Sequence, residues 1–492
     1  MYLLGLDIGT SSIKASVVEI ATSQCVASTQ FPDSETPIIS LQTGWAEQSP
    51  NTWWDHVQAA ILKLNATKKY DPQQIQAIGI SYQMHGLVLV DKNQEVLRDS
   101  IIWCDSRSVE LGNEAFQQIG PEKCLSHLLN SPGNFTASKL AWVKKNEPEI
   151  YHKIDKMMLP GDFISMKFTG NITTSISSLS EGIFWDFKKN EMSNDVIQHF
   201  GFNQSHFPII QEVFSNHGNL LSTVANALSL KAGIPITYKA GDQPNNALSL
   251  NVFEPGEVAA TAGTSGVIYG VTDKVTYDAQ SRVNSFAHVN HTQNSNRLGV
   301  LLCINGTGIL NSGVKNKVGV GSSYSQMNQE AGVIQIGSEG LQIFPFGNGA
   351  ERIFNNKVIG AQFSKINLNK HTNAHIFRAA QEGIAFTFRY GLDIMRSNGM
   401  QPKIIRAGHA NMFLSEVFTE AFVNVTGVPV TLYETEGSVG AALGAGIGHK
   451  VYANAQEAFS HVTPIKTIEP LQEKRYNECY SSWLETLNKI IS

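Results

Sequence analysis

The chain opens on an apolar run, Leu3 to Leu6, that breaks at Asp7 and Gly9 into three consecutive hydroxyls, Thr10, Ser11 and Ser12. The stretch "SSIKASVVEI" then alternates, with Ile13, Ala15 and Val17 on one side and Lys14 and Ser16 on the other. A period of two predicts a strand, so the polar turn joins two strands instead of opening a helix. Residues 256–271, "GEVAATAGTSGVIYGV", repeat the arrangement: an apolar run, Gly263-Thr264-Ser265-Gly266, and a second apolar run. The two turns lie about half the chain apart, which predicts two related halves. "QIQAIGISY", "LVLVD" and "LGVLLCI" also read as strands. "FTASKLAWVKK" carries helical spacing at Ala137, Leu140 and Ala141 and stops near Pro148. Residues 375–399 form the longest helical pattern, closed by Gly399. "GSVGAALGAGIG", Gly437 to Gly448, is so rich in Gly and Ala that it predicts a helix packed closely on a neighbour, its start available to a ligand. Strands alternating with helices place the chain in the α/β class.

Composition narrows the partners. A chain of 492 residues supports two or more domains. The formal net charge is −5 and no basic stretch occurs, which argues against nucleic acid or an anionic membrane surface. Met1 to Leu6 is too short for a signal peptide, and no apolar run is long enough to cross a bilayer, so a cytoplasmic enzyme is expected. The five cysteines lie far apart without Cys-x-x-Cys spacing, which fits reduced thiols and no metal cluster.

The candidate chemistry centres on the two turns. Backbone N–H groups in a tight turn make a concave anion site, and adjacent hydroxyls add donors. Gly9, Thr10 and Ser11, and likewise Gly263, Thr264 and Ser265, are candidates for gripping phosphates from two sides. Asp7 repels a phosphate unless a cation stands between them, and Mg²⁺ suits that place. The helix-opening loop Gly-x-x-x-x-Gly-Lys-Ser/Thr is absent. In "YQMHG", Gln83 and His85 point the same way if the chain is extended, and such a polar interruption between strands either lines a small-molecule site or leaves His85 a satisfied structural residue. "IIWCDSR" offers Trp103, Asp105 and Arg107, either as a sugar wall or as a surface ion pair. In "YKAGDQPNNALSL", Asp242 follows a strand and either caps a helix or accepts a hydroxyl proton in phosphoryl transfer.

Taken in order, "DIGTSSIK", "GWAEQSP…WW", "QMHG", "FTASKLAWV", "AGDQ", "AGTSGV" and "GSVGAALGA" resemble the FGGY carbohydrate kinases over nearly the whole chain. The resemblance implies two actin-like, ribonuclease-H-like domains around a cleft, here 1–245 and 246–492. It implies ATP and Mg²⁺, and transfer of the γ-phosphoryl to a primary hydroxyl of a sugar. Asp242 matches the family's catalytic aspartate. Met84 and His85 match positions that touch a ketose, which implies D-xylulose as substrate and D-xylulose 5-phosphate as product. A sibling kinase for ribulose, another ketose or a polyol is the alternative, ahead of a non-kinase actin-like ATPase. Thr10, Ser11 and Lys14 match phosphate-side positions, Asp7 the Mg²⁺ side, and Thr264 the second clamp. The adenosine segment reads "RAGHANMF": Gly408 is kept, Asn411 follows, and His409 and Ala410 interrupt the usual glycines. "FGNGAERIFNN" keeps only the Gly-x-Glu-Arg core of its motif. By analogy with relatives, a homodimer is expected.

Overall fold

The structure, a computed structural model, describes all 492 residues. Two main sheets organise it. The first holds β1 (Tyr2–Ile8), β2 (Ile13–Glu19), β3 (Cys25–Phe31), β4 (Ile75–Tyr82) and β5 (Ile236–Gly241), in the order β5-β4-β1-β2-β3. The second holds β6 (Glu257–Ala262), β7 (Gly266–Thr272), β8 (Asn284–Ala287), β9 (Leu298–Ile304), β10 (Ile404–Gly408), β11 (Val430–Tyr433) and β12 (Lys466–Ile468), in the order β8-β9-β7-β6-β10-β11-β12. In the first sheet, β1–β2 and β2–β3 are antiparallel, whereas β1–β4 and β4–β5 are parallel. In the second, β6–β7 and β7–β9 are antiparallel, whereas β6–β10 and β10–β11 are parallel. One five-strand topology is thus built twice, and the repeated Gly-Thr-Ser turn is the hairpin that opens each copy.

Each copy ends on a helix that follows its last parallel strand: Asp242–Ser249 after β5, and Gly437–Gly448 after β11. The second helix crosses to the first sheet, and the first lies between the two sheets. Ala441, Ala442 and Ala445 of the second helix share a core with Leu3, Val18, Ala77 and Tyr238 of the first sheet. Ala247 of the first helix joins Ala259, Tyr269 and Val271 of the second sheet. Glycines in the strands admit the helix backbone. A Cβ on Gly5 would overlap the Ser438 carbonyl oxygen, and one on Gly79 the Ala441 carbonyl oxygen.

The same packing revises the one-sided reading of β2. Ile13, Ala15 and Val17 meet Trp53, Val57 and Ile61 of helix Pro50–Asn65, as their spacing predicts. Ser16, on the polar side of the pattern, is also buried and pairs its hydroxyl with that of Ser438 at 2.8 Å. Both faces of the sheet are covered, so a polar residue inside it needs a partner.

Residues 84–202 fill a further core that reaches Phe286, Ala287 and Leu298 on the second sheet. The sheet's edge strand β8 is closed by side chains from this part of the chain. Asn130 donates to the Ser285 carbonyl at 2.7 Å and accepts from its N–H at 3.1 Å. Ser177 donates to the Ala287 carbonyl at 2.8 Å, and Ser180 accepts from its N–H at 2.9 Å. No helix is long and apolar enough to cross a membrane, and the five cysteines are free.

Gly5→Ala is expected to lower unfolding free energy by about 1–3 kcal/mol through overpacking against the Ser438 backbone. Gly313→Ala, where a Cβ meets open space, should not lower it. Denaturant midpoints of the two variants check this.

Candidate active site

β1, β4 and β5 run parallel and end level: Ile8 and Gly241 each pair with Tyr82. The polar segments Gly9–Ser12, Gln83–Gly86 and Asp242 follow these ends, and ligands bind outside the carboxyl ends of parallel strands.

Asp7 lies across from Lys14 in the β1–β2 register. Its Oδ1 accepts from the Ser81 hydroxyl at 2.8 Å. Its other oxygen lies against Gly437, the first residue of the crossing helix, where a Cβ would overlap it. Burial raises the Asp7 pKa and the Glu436 charge adds to this, while Ser81 and Lys14 oppose. Asp242 is the first residue of its helix, behind Gly241 as N-cap. Its pKa is pushed up to about 7, by burial first and then by the charge of Asp7. A carboxyl held near neutrality is matched to taking a proton. Two carboxylates both raised by burial, one of them further by the charge of the other, call for a cation. No cluster of three or more His, Cys, Asp or Glu holds one by protein alone. The pair fits Mg²⁺, which takes one or two carboxylates and completes its shell with phosphate and water.

Thr10 donates its hydroxyl to Gln83 Oε1 at 3.1 Å and accepts from Trp103 Nε1 at 3.0 Å. Gln48 fixes the Thr10 carbonyl at 2.8 Å. Gly9 closes the turn by donating to Ser12 at 3.2 Å, and Ser11 is exposed. Met84 is buried, with its Cγ 2.6 Å from where a Cβ on Gly241 would stand, so the missing side chain makes its room beside Asp242.

The extended-chain reading of "QMHG" does not hold. His85 has φ +63°, a left-handed conformation that turns its side chain away from that of Gln83. Gln83 faces Thr10 and Gln48. The His85 ring packs edge-on against Phe135, with centroids 4.8 Å apart, and lies 5.5 Å from Phe286 of β8. Burial, then the Lys139 charge, lowers its pKa to about 3, so the ring is neutral.

Asp105, expected against the sugar, needs correcting. It is fully buried. One oxygen accepts from the Ala46 N–H at 2.6 Å, and Arg107 grips both oxygens at 2.7–3.0 Å. Arg107 also stacks 3.8 Å over Trp45 and bonds Glu47 at 2.6 Å. The carboxylate braces this loop, and Trp103 beside it is exposed.

In the second half, Gly263, Thr264, Gly308, Asn311, Asn328 and Asn411 line one cavity of about 460 Å³. Asn411 sits at φ +54°, which asparagine tolerates better than most residues. Gly408 ends β10 outside this wall and accepts from the Ala410 N–H at 2.8 Å, setting up the turn to Asn411. Ser265 is exposed at the turn. Glu351 holds the wall from behind. It is buried and accepts from the N–H groups of Asn305 at 3.0 Å and Gly306 at 2.7 Å. The next residues grip the second turn: Gly308 donates to the Gly263 carbonyl at 2.9 Å and Ile309 to that of Thr264 at 3.0 Å. Glu351 carried a motif signal in the sequence. Asn311, Asn328, Lys139 and Glu181 carried none as site residues.

A duplicated five-strand sheet with a helix crossing between its copies, carboxylates at the strand ends and a cavity behind the second turn define a two-domain actin-like ATPase fold. Residues 2–249 match the N-terminal domain model of the FGGY family of carbohydrate kinases, and the chain belongs to that family. The xylulose kinase of Escherichia coli is 27% identical over 498 residues, which cover 100% of this chain and 98% of that protein. The crystal structure of xylulose kinase from Rhodospirillum rubrum superposes with a TM-score of 0.89 at 23% identity, covering 100% of each chain. Plasmodium falciparum glycerol kinase with ADP gives 0.90 at 20% identity, covering 100% of this chain and 98% of that one. The fold is common to kinases of different substrates, so the substrate is argued from the site.

Glu351→Ala leaves two buried backbone N–H groups without an acceptor and should cost about 2–4 kcal/mol of stability, with Glu351→Gln costing less. Urea unfolding of the two variants measures it.

Proposed function

We propose that this chain transfers the γ-phosphoryl of ATP to D-xylulose, giving D-xylulose 5-phosphate and ADP. The observation that carries this reading is the meeting of Met84, His85 and Asp242 at the ends of adjacent strands. The full-length similarity to the Escherichia coli xylulose kinase supports it.

In this reading the sugar lies against Met84 and His85. Gln83 orients Thr10 and leaves the sugar to its neighbours. Residues 1–245 form the sugar domain and 246–492 the nucleotide domain, with helix Gly437–Gly448 packed back on the first. The nucleoside occupies the cavity of Gly263, Thr264 and Asn411, beside Gly408 and Ser265. Its phosphates reach the N–H groups and hydroxyls of Gly9, Thr10 and Ser11, and the Lys14 ammonium. Asp7, opposed by Asp242, would hold Mg²⁺, which supplies neutralisation of phosphate charge. Asp242 orients the attacking hydroxyl and takes its proton. The hydroxyl oxygen bonds to the γ-phosphorus as the bond to the β–γ bridging oxygen breaks, and ADP leaves. Catalysis is mostly positioning and charge complementarity, aided by exclusion of water between the halves.

The deciding experiment is ADP release with Mg²⁺–ATP and D-xylulose, D-ribulose, L-ribulose, glycerol or no sugar. D-xylulose should lead. Equal release in every tube, blank included, would make the chain a plain ATPase.

Asp242→Asn should lower kcat by about 10²–10⁴, the range for losing a general base. Because the base acts unprotonated, wild-type kcat/KM for the sugar should rise with pH through about 7. A variant that keeps this limb at near-normal turnover would remove Asp242 from the role.

A further inference from the structure

Glu181 ends helix Ile176–Glu181 and is buried under the sugar loop. Its Oε2 accepts the His85 N–H at 3.2 Å, and its Oε1 accepts the Tyr82 hydroxyl at 2.7 Å. Its main-chain carbonyl lies 3.0 Å from His85 Nδ1. The other side of the His85 residue is pinned as well. Its carbonyl oxygen accepts from Lys139 Nζ at 2.8 Å and from the Thr136 hydroxyl at 3.2 Å. Lys139 is itself fully buried. Left-handed backbone is unfavourable for a residue with a Cβ, and these contacts over-determine it.

A carbonyl oxygen only accepts, so Nδ1 must carry the proton of the neutral ring. Nε2 is then a bare lone pair, and it makes no hydrogen bond within the protein. We propose that Glu181 is a positioning residue that holds His85 as the Nδ1–H tautomer, so that His85 reads the sugar by accepting a hydroxyl proton at Nε2. The carbonyl of Glu181 fixes the proton, and its carboxyl, with Lys139, fixes the left-handed turn that aims the ring. This rests on the reading of His85 as a sugar contact. It extends that reading to the class of group recognised: a hydroxyl donor, not a carbonyl.

Two measurements test it. The first is ¹⁵N NMR of histidine-labelled wild-type enzyme without sugar, with the His85 signals assigned by their loss in His85→Gln. Nε2 should appear unprotonated and Nδ1 protonated at neutral pH. A protonated Nε2 overturns the proposal, whatever the substrate. The second is steady-state kinetics. Glu181→Met, which keeps bulk and removes the acceptor, should raise the sugar KM by at least about 10-fold and leave the ATP KM within about 2-fold. Glu181→Gln should restore the sugar KM to within about 3-fold. Its oxygen still meets the His85 N–H, and its NH₂ faces the Tyr82 hydroxyl, which can accept. Equal loss in both KM values, or no rescue by Gln, shows a merely structural role and overturns the assignment. The tautomer measurement needs no altered Glu181, so it stands even where Glu181→Met fails to fold. A failed sugar panel with the expected tautomer would instead point to the functional reading.

Discussion

Gly440 on helix Gly437–Gly448 passes Ser249 so closely that a Cβ there would overlap the serine hydroxyl, and beside this crossing Asn245 donates to the Gly437 carbonyl at 2.9 Å. Helix Gly437–Gly448 belongs by sequence to the second half and by packing to the first, whereas helix Asp242–Ser249 lies between the sheets, with Leu248 in the core of the first and Ala247 in that of the second. The two helices therefore tie the halves together at one crossing. The crossing also builds the site. Both helices start at the cleft, one with Asp242 as its first residue and the other with Gly437 against Asp7. A helix start carries partial positive charge, which favours an anion placed there.

The charges follow from that placement. Asp7 and Asp242 stand at the ends of strands buried on both faces, where water does little to solvate them. Burial is the first cause of both raised pKa values, and Asp7 adds to that of Asp242. Two other buried carboxylates are matched by cations in place. Arg107 satisfies Asp105, and Lys239 meets Asp162 at 2.6 Å. The carboxylates at the strand ends lack such a cation in the chain, which is the arrangement a divalent ion and a polyphosphate complete.

The wall around His85 draws on both halves. Phe135 comes from the first, whereas Phe286 comes from the edge strand of the second sheet. Asn130, Ser177 and Ser180 tie that edge strand to the first half by four hydrogen bonds. The same second sheet that brings Phe286 to the His85 ring also carries the turn Gly263–Thr264 that lines the cavity of the second half.

Local pattern alone determined both hairpins, the strands at Ile75–Tyr82 and Leu298–Ile304, the long helix and the Asp242 position after Gly241. Period-two alternation and turn chemistry act over a few residues, so they are written in consecutive letters. The Gly-Ala face of residues 437–448 announced close packing without naming the partner. Only the tertiary structure decided that this helix lies on the first sheet, that Ser16 is buried and that His85 is left-handed. It also buried Asp105 against Arg107 and brought Glu181 behind His85 and Glu351 behind Asn305 and Gly306. Glu181 reaches His85 across 96 positions and Glu351 reaches Gly306 across 45. What a carboxylate does is fixed by the donors that long-range packing delivers to it, and no short stretch of sequence records them.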